Sequence, residues 1–342
     1  MLLYHNDFGY LEEIVSRHSR TFLLMDDNTF KYCLPIFLEM TRVRDFIPVV
    51  IRPGEPSKSL DTVSDVWQCL VEHYADRNAL IINLGGGVVS DIGGFAASCY
   101  QRGVDFVNVP TSLLSMVDAS IGGKTGIDFC GLKNQIGTFC EPAAVMIAPE
   151  FLDTLPTEQM LSGLGELAKY GFITNRLRLE PSLPLDFELV RNAAEFKMEI
   201  TSVDSKDNGV RKVLNFGHTA GHALESILSC SPAQLLHGEA VALGIIPALF
   251  LSNRYRGLDI THLINYRRYY YRLFRKINLE NINIGKLLDI MRHDKKNIDG
   301  KIRFVLLEGI GCPVTDVVVT DDDIIDSLCY LIDSMRDEGF GQ

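Results

Sequence analysis

The sequence lacks the features that would place the chain in a membrane or in an oxidising compartment. Its longest apolar run, Ala240–Leu251, contains Pro247 and is too short to span a bilayer. The eight cysteines are scattered without a C-x-x-C pair, which is typical of reduced thiols in the cytosol and not of a disulfide framework. The first residues show no charged segment followed by a long apolar stretch, so no signal peptide is predicted. We therefore expect a cytoplasmic protein without a membrane partner.

Positive charge is scarce, since 33 Lys and Arg residues face 44 Asp and Glu residues and the net charge is −11. This balance argues against a nucleic-acid partner. The segment Tyr266–Lys276 mixes aromatic and basic side chains, and such side chains could bind RNA by stacking on its bases. Because the chain is acidic overall, we instead predict an amphipathic helix for this segment. The 342 residues contain no internal repeat or low-complexity linker and suggest two domains.

The two halves of the chain differ in their pattern. Up to residue 150, short apolar runs typical of buried parallel strands alternate with helical periodicity, which predicts an α/β domain. The predicted strands are 21–25, 46–52, 79–84, 105–109 and 144–148, and the predicted helices are 60–74 and 88–100. From residue 151 to residue 342 helical periodicity dominates, with helices predicted at 157–173, 186–203, 213–229, 235–252, 260–276, 284–293 and 321–336.

A run of three glycines, Gly85–Gly87, follows one predicted strand and opens a predicted helix. This arrangement brings backbone N–H groups to a pyrophosphate. The spacing is not G-x-G-x-x-G, however, and a tight turn would use the same glycines. Asp26, at the end of an earlier strand, could hold a ribose hydroxyl or could simply be a turn residue. Both interpretations of these segments stay open at this point.

Histidines and a carboxylate occur in helical segments rich in small residues. His218 and His222 lie four residues apart, on one helical face, with about 5–6 Å between their Cβ atoms. His237 opens a later apolar helix. Glu166 lies upstream in another helical segment, Gly163–Lys169, directly after Gly165. Two histidines and one carboxylate, with open positions, are a ligand set for a catalytic divalent metal. Spacing alone favours His218 and His222 as the histidine pair, although any one of these histidines alone would more often be a packed residue.

Eight motifs spread over the chain resemble, in their order, those of the 3-dehydroquinate synthase family in the sugar-phosphate cyclase superfamily. They are GEPSKS, GGGVVSDIGGFAASCYQRG, VPTSLLSMVDASIGGKTGID, GLKNQIGTF, GLGELAKYG, VLNFGHTAGHALE, LHGEAVALG and DKKN. The resemblance runs from about Asp26 to Val319. It implies an N-terminal Rossmann-like α/β domain over 1–150, a C-terminal all-α domain over 151–342 that binds metal and substrate, and an active site between them.

The resemblance also implies the roles of particular residues. It makes Glu166, His218 and His237 the ligands of a zinc or cobalt ion, and it places His222 off the metal, facing the substrate. The implied NAD contacts are Asp26, Asn28, Glu55, Lys58, Gly86, Gly87, Val88, Val89, Ser90, Asp91, Thr111, Ser112, Lys124, Lys133, Phe151 and Thr154. The implied substrate and catalytic residues are Arg102, Asp118, Lys124, Lys133, Asn134, Lys169, Lys197, Arg211, Asn215, His222 and one or both of Lys295 and Lys296.

The implied reaction is that of a phosphorus–oxygen lyase in the shikimate pathway of aromatic amino-acid biosynthesis. Its substrate, 3-deoxy-D-arabino-heptulosonate 7-phosphate, carries a carboxylate and a phosphate, which would explain many Lys and Arg residues in an acidic chain. Transient oxidation by NAD, loss of phosphate, reduction, ring opening and an aldol closure would give 3-dehydroquinate. The resemblance further implies a homodimer. Two alternatives stay open, namely a sister cyclase that makes a cyclitol and a metal- and NAD-dependent polyol dehydrogenase.

The chain departs from the family pattern in three places. Ser90 stands where the family usually has Gly, and Asp207 stands where it usually has Glu. Between Lys169 and Lys197 the chain is shorter than is typical of the family. These departures affect the expected substrate affinity and local helix packing more than the expected reaction class. We also expect Lys124 and Arg211, both in polar segments, to serve substrate anions and to contribute little to stability.

Overall fold

The computed structural model describes residues 1–336 except residues 131, 230, 232, 281 and 294–300. The chain divides into two compact units. The first unit contains Met1–Met160 and Ala194–Lys206, and the second contains Leu161–Ala193 and the chain from Asp207 onward. Within the described residues, no helix is both long and apolar enough to cross a bilayer.

A parallel sheet of six strands lies at the centre of the first unit. The ten strands of the described chain are β1 Leu2–Tyr4, β2 Arg20–Asp26, β3 Ile47–Ile51, β4 Ala79–Gly85, β5 Asp105–Pro110, β6 Lys124–Phe129, β7 Leu132–Phe139, β8 Ala144–Ile147, β9 Arg303–Gly309 and β10 Cys312–Val318. The parallel sheet has the order β1-β8-β5-β4-β2-β3. β4 is buried along its whole length, as expected for a strand covered on both faces.

Five helices connect the strands of the first unit. They are α1 Phe8–Ser16, α2 Asp27–Tyr32, α3 Leu34–Met40, α4 Leu60–Glu72 and α5 Gly87–Cys99. α4 begins after Ser59, whose Oγ accepts a hydrogen bond from the backbone N–H of Thr62. Its apolar side chains Val63, Val66 and Leu70 join the same core as the sheet and α5. The spacing of these residues explains why this segment was predictable as an amphipathic helix.

The second unit is mainly helical, as predicted, but it also contains a hairpin. Its helices are α6 Thr157–Ile173, α7 Phe187–Val203, α8 His218–Leu228, α9 His237–Arg256, α10 Ile260–Leu273, α11 Ile284–Arg292 and α12 Asp321–Arg336, and α6 and α7 each contribute residues to both units. α9 is buried from Gly238 to Leu249, because its side chains are apolar or small on all sides. The antiparallel pair β9 and β10 was not predicted from the sequence.

Two local predictions can be compared with the structure. The predicted helix 213–229 is wrong at its start: Val210–Asn215 is a 3-10 turn, Gly217 has a φ of +77°, and α8 begins only at His218. The segment Tyr266–Lys276 was predicted to be an amphipathic helix, and most of it belongs to α10, which buries Tyr266, Tyr269 and Tyr270. Buried rings at this spacing pack against the protein and are not presented for base stacking.

Candidate active site

Glu166, His218, His222 and His237, which we call the histidine–carboxylate cluster, come together in the second unit. Oε1 of Glu166 lies 3.4 Å from Nε2 of His218 and 3.5 Å from Nε2 of His237. The three histidines can each offer a ligand atom within 4.8 Å of the others. Glu166 is fully buried, and His218 is 7% exposed. The fold therefore assembles all four residues that the sequence singled out.

The hydrogen bonds of two histidines define which ring nitrogen faces Glu166. Nδ1 of His218 lies 3.1 Å from the carbonyl oxygen of Phe216, and Nδ1 of His237 lies 3.2 Å from Oε2 of Glu225. The carbonyl oxygen of Phe216 and the carboxylate of Glu225 can only accept hydrogen bonds. Nδ1 of each ring therefore carries a proton. Nε2 of each ring is then the nitrogen directed toward Oε1 of Glu166 and the one available to a metal.

The two distances from Glu166 to the histidines match those between ligand atoms of a tetrahedral metal site. Zinc bonds to nitrogen and oxygen of about 2.0–2.2 Å place tetrahedral ligand atoms about 3.3–3.6 Å apart. The distances from Glu166 to His218 and His237 fall in that range. In the alternative trio of His218, His222 and His237, the ligand atoms lie within a wider limit of 4.8 Å of one another. The donor set and its spacing therefore fit a zinc or cobalt ion held by Glu166, His218 and His237.

The electrostatics of the cluster also favour a cation. Burial lowers the pKa of His237, but its hydrogen bonds to Glu166 and Glu225 outweigh burial and raise that pKa to about 10. A second positive group, the ammonium of Lys169, forms a close ion pair with Oε2 of Glu166 and is itself buried. The carboxylates of Glu166 and Glu225 thus create a negative potential at His237, which stabilises a bound divalent ion as well as a proton.

The three proposed ligands lie on different helices, and each is next to a glycine at a helix crossing. Glu166 is on α6, His218 is the first residue of α8, and His237 is the first residue of α9. A Cβ on Gly165 would lie 2.0 Å from the carbonyl oxygen of Gly238, and one on Gly244 would lie 2.0 Å from that of Gly217. Only glycine permits this backbone approach, which explains why glycines flank the ligands.

An ion pair between a buried glutamate and a half-exposed arginine lies at the start of α9. Glu239 accepts a hydrogen bond from the backbone N–H of Leu236, the residue before His237. Its carboxylate also accepts from Nε of Arg275 at 3.0 Å, and Glu239 is 5% exposed. A carboxylate in the first turn satisfies an N-terminal N–H group and suits the helix dipole. These contacts keep His237 at a defined helix start.

Two predicted substrate residues of the second unit lie on the 3-10 turn that precedes α8. They are Arg211 and Asn215. The structure corrects the expectation that Arg211 is a solvated residue of little structural importance, because it is only 3% exposed. Lys124, by contrast, is exposed at the start of β6. Lys295 and Lys296 lie outside the described residues.

In the first unit, the predicted cofactor residues surround a topological switch point. β2 and β4 are neighbours in the sheet. The chain continues from β2 to β3 toward one edge of the sheet and from β4 to β5 toward the opposite edge. The carboxyl ends of β2 and β4 therefore border a crevice of the kind in which doubly wound folds bind dinucleotides. Asp26 ends β2, where its Oδ1 caps α2 by accepting from Thr29, and Asn28 follows in the first turn.

The glycine turn after β4 is organised by neighbouring polar groups. Gly86 is the residue before α5, and no side chain caps the start of that helix within the described chain. The amide of Thr111 donates to the carbonyl oxygen of Gly85, and Oγ of Ser90 donates to that of Gly86 at 3.2 Å. A Cβ on Gly86 would lie 3.4 Å from Oγ of Ser112. Gly87, Val88 and Val89 form the first turn of α5, so their N–H groups are placed as an anion site requires.

A second group of predicted residues is joined by ion pairs and hydrogen bonds. Nζ of Lys58 lies 2.5 Å from Oδ2 of Asp91 and is buried. Burial lowers the pKa of Lys58, but the charges of Asp91 and Glu55 outweigh it and raise that pKa. Nζ of Lys133 lies 3.7 Å from Oε1 of Glu55. The ammonium of Lys58 therefore stays charged in the interior.

The sequence analysis did not identify Asp128, which connects this group to the hairpin of β6 and β7. Its backbone N–H donates to the carbonyl oxygen of Lys58 at 2.8 Å, and its Oδ1 accepts from the backbone N–H of Asn134 at 2.8 Å. Asn134 has a φ of +49°, a conformation that asparagine tolerates better than most residues.

Arg102 also has a positive φ, of +72°, which is unfavourable for an arginine backbone. Backbone strain of this kind often accompanies a functional position.

The remaining predicted residues of the first unit also have defined partners. Nζ of Lys197 lies 2.8 Å from Oδ1 of Asp118 and donates to the carbonyl oxygen of the same residue. Oγ1 of Thr154 donates to the carbonyl oxygen of Phe151, which is fully buried. The thiol of Cys33, which the sequence analysis passed over, lies 3.6 Å from the same Oγ1. Lys197 and Asp118, far apart in sequence, are thus brought together by the fold.

The fold and the histidine–carboxylate cluster define a class of protein: an α/β protein with a sheet edge of the dinucleotide-binding type in one unit and a buried cluster of potential metal ligands in the other. The family model described as 3-dehydroquinate synthase N-terminal matches residues 48–162, and that described as 3-dehydroquinate synthase C-terminal matches residues 163–297. The 3-dehydroquinate synthase of Parabacteroides distasonis is 36% identical over 327 residues, which are 93% of each chain. The chain belongs to the 3-dehydroquinate synthase family.

Two solved structures share the fold at lower identity. A 2-deoxy-scyllo-inosose synthase complexed with carbaglucose-6-phosphate, NAD⁺ and Co²⁺ superposes with a TM-score of 0.81 and 22% identity over 95% of both chains. A 2-epi-5-epi-valiolone synthase from Streptomyces hygroscopicus, with NAD⁺ and Zn²⁺ bound, also gives a TM-score of 0.81, with 24% identity over 98% of this chain and 97% of that one. At these identities the likeness establishes the fold.

Proposed function

We propose that the chain is a 3-dehydroquinate synthase, which converts 3-deoxy-D-arabino-heptulosonate 7-phosphate into 3-dehydroquinate and inorganic phosphate. The observation that carries the proposal is the spacing of Glu166, His218 and His237 in a chain that belongs to this family. A simple dehydrogenase would need a cofactor site and a metal or a base. It would not need the additional Lys and Arg residues found in the motifs of this chain.

The metal site would hold one zinc or cobalt ion through Glu166, His218 and His237. When bound, such an ion acts as a Lewis acid that lowers the pKa of substrate hydroxyl groups. Lys169, paired with Glu166, partly offsets the negative charge of the ligand set. His222 stays off the metal in this proposal and faces the substrate, within hydrogen-bonding reach of a hydroxyl or a phosphate oxygen.

The cofactor site would hold NAD at the carboxyl edge of the parallel sheet. The uncapped start of α5 would receive the pyrophosphate, and Asp26 would accept a ribose hydroxyl. When bound, the nicotinamide would supply a reversible hydride acceptor, so that NAD would be needed but not consumed. Lys58, held by Asp91, would add a fixed positive charge to this region.

The substrate carries two anionic groups, and the basic residues of the motifs would bind them. Lys124 is exposed and Arg211 is buried, so the two would meet the substrate in different surroundings. Lys197, positioned by Asp118, is a third candidate. Because phosphate and carboxylate oxygens form charge-assisted hydrogen bonds with such groups, their arrangement would decide which sugar acid is accepted.

We further propose that 1–150 acts as the NAD-binding domain and 151–342 as the domain that binds metal and substrate. Partners other than the small-molecule substrate would be limited to a second copy of the chain in a homodimer. The net charge of −11 disfavours a nucleic-acid partner. The absence of C-x-x-C pairs supports a cytoplasmic location.

The test is a coupled measurement of phosphate and of reduced cofactor. Purified protein with zinc or cobalt, NAD⁺ and 3-deoxy-D-arabino-heptulosonate 7-phosphate should release one phosphate per substrate without a growing NADH absorbance. Continuous accumulation of NADH would instead identify a dehydrogenase. Phosphate release only from sugar phosphates that lack a carboxylate would identify a sister cyclase, and either outcome would overturn the proposal.

A further inference from the structure

The motif that contains His218 and His222 ends in a third polar residue, Glu225, to which the sequence analysis gave no role. Residues 218, 222 and 225 have the spacing i, i+4 and i+7, so they share one face of α8. Glu225 is 8% exposed, which is unusual for a glutamate unless it is paired. Its Oε2 lies 3.2 Å from Nδ1 of His237 on a different helix. A buried carboxylate on this face therefore contacts a proposed metal ligand of α9.

The two nitrogens of the His237 ring face different carboxylates. Nε2 lies 3.5 Å from Oε1 of Glu166, whereas Nδ1 lies 3.2 Å from Oε2 of Glu225. The Nε2 lone pair and the Nδ1–H bond of an imidazole point outward on different sides of the ring, so a metal at Nε2 cannot also be bound by the Glu225 oxygen at Nδ1. Glu225 therefore lies behind the ring as seen from the metal position.

We propose that Glu225 is a positioning residue of the metal centre, which holds His237 in the orientation and tautomer that ligation requires. The inference rests on the proposed metal site and deepens it. A carboxylate that accepts the Nδ1 proton keeps the Nε2 lone pair available and increases its electron-donating strength. In the other proposed histidine ligand, Nδ1 of His218 lies 3.1 Å from a neutral backbone carbonyl oxygen, that of Phe216. His237 is thereby the more strongly donating of the two imidazoles.

The charge of Glu225 has a second effect on the site. A divalent ion at the cluster would be accompanied by Glu166 and by the ammonium of Lys169, which together contribute no net charge. Two positive charges would then remain in a largely buried site, where unbalanced charge is costly. Glu225 reduces this excess by one charge at close range. Orientation and charge balance are separable, because glutamine retains the accepting oxygen and loses only the charge.

The experiment compares zinc affinity in the full-length protein and three variants by competition with a chromophoric chelator. Glu225→Ala should bind zinc about 10–100-fold more weakly, the range found when such supporting partners of metal ligands are removed. Glu225→Gln should lose less, because its amide oxygen still accepts the Nδ1 proton. Glu180→Gln, which removes a carboxylate that pairs with Arg272 and not with a histidine, should bind zinc like the parent.

Cobalt absorption spectra supply a readout that a merely structural role would not change. The spectrum of Glu225→Ala should differ from that of the parent, and that of Glu225→Gln should resemble it. Parental affinity and spectrum in Glu225→Ala would overturn the inference. If Glu225→Ala does not fold without metal, Glu225→Leu, which fills the buried space but cannot accept the Nδ1 proton, decides the question: weaker zinc binding by a folded variant supports the inference, and unchanged binding overturns it. Neither measurement uses the dehydroquinate reaction, so a failure of the proposed function would show separately, in the phosphate assay.

Discussion

At the scale of single residues, the cluster consists of groups that would be unfavourable neighbours without a cation. A fully buried carboxylate oxygen lies 3.4 and 3.5 Å from two imidazole nitrogens whose other nitrogens carry the ring protons. His222 is close to the same histidines, with ring centroids 5.1 Å from His218 and 5.6 Å from His237. His218 differs from this neighbour in that its Nε2 lies 3.4 Å from Oε1 of Glu166.

This difference predicts that two neighbouring histidines will respond differently to substitution. His218→Ala should lose both metal and turnover, because it removes an atom at ligand distance from Glu166. His222→Ala should lose turnover but keep one metal per chain. Metal content after gel filtration, measured by atomic emission together with phosphate release, checks both. Equal loss of metal in the two variants would instead support the ligand pair that sequence spacing favoured.

A second residue-scale prediction concerns Lys124 and Arg211, for which the sequence analysis expected the same small effect on stability. Lys124→Met should change the free energy of unfolding by no more than about 0.5 kcal/mol, because the residue is exposed. Arg211→Met should cost about 1–3 kcal/mol, because the residue is buried and its replacement changes interior packing. Both should weaken turnover strongly if they bind substrate anions. Urea denaturation of the two variants, with turnover measured in parallel, is the test, and equal stability losses would contradict this distinction.

At the scale of secondary-structure elements, glycines set how closely the ligand-bearing helices approach. α6 passes the start of α9 so closely that a Cβ on Gly165 would lie 2.0 Å from a backbone oxygen. α8 and α9 make a similar contact at Gly244. A backbone oxygen cannot move aside as a flexible side chain can, so a larger residue must push the helices apart. The positions of Glu166 and His237 relative to each other depend on this contact.

We therefore predict that Gly165→Ala weakens zinc binding although it removes no ligand. Overpacking of this kind typically costs about 1–3 kcal/mol of stability, and a small helix displacement would misplace Glu166. Gly9→Ala in α1 is the matched control, because a Cβ there has no neighbour within 4 Å. Zinc competition and urea denaturation should show losses in the first variant and none in the second. Unchanged zinc affinity in Gly165→Ala would mean that the crossing does not govern the site.

At the scale of the whole molecule, a metal that binds only the folded chain must stabilise it. The stabilisation follows the logarithm of the metal concentration relative to Kd and reaches about 4 kcal/mol at a thousandfold excess. We predict that zinc raises the unfolding temperature of the chelator-treated protein and that Glu166→Gln abolishes the increase. Differential scanning calorimetry at several zinc concentrations measures this effect. A full increase in the Glu166→Gln protein would place the stabilising ion at another site.

Much of the architecture could be predicted from short-range sequence patterns. A short apolar run that is followed at once by glycines, such as 79–84, is typical of an interior strand, and the apolar spacing in 60–74 is that of an amphipathic helix. The strand, the glycine turn and the following helix could be identified together because all three are local. The same holds for the residue types of the metal cluster, since glycines and histidines in nearly charge-free helices are unusual. The family resemblance then favoured Glu166 over His222 as a ligand.

The sequence by itself thus determined the fold class, the family and the kinds of ligand at the candidate site. Tertiary structure decided what depends on contacts between distant segments. The hairpin of β9 and β10 and the late start of α8 at His218 have no strong local pattern. The burial of Arg211 and the contact of Glu225 with His237 arise only when separate elements pack together. Local propensity cannot encode such contacts, because their free energy comes from burial and electrostatics between residues that are remote in sequence.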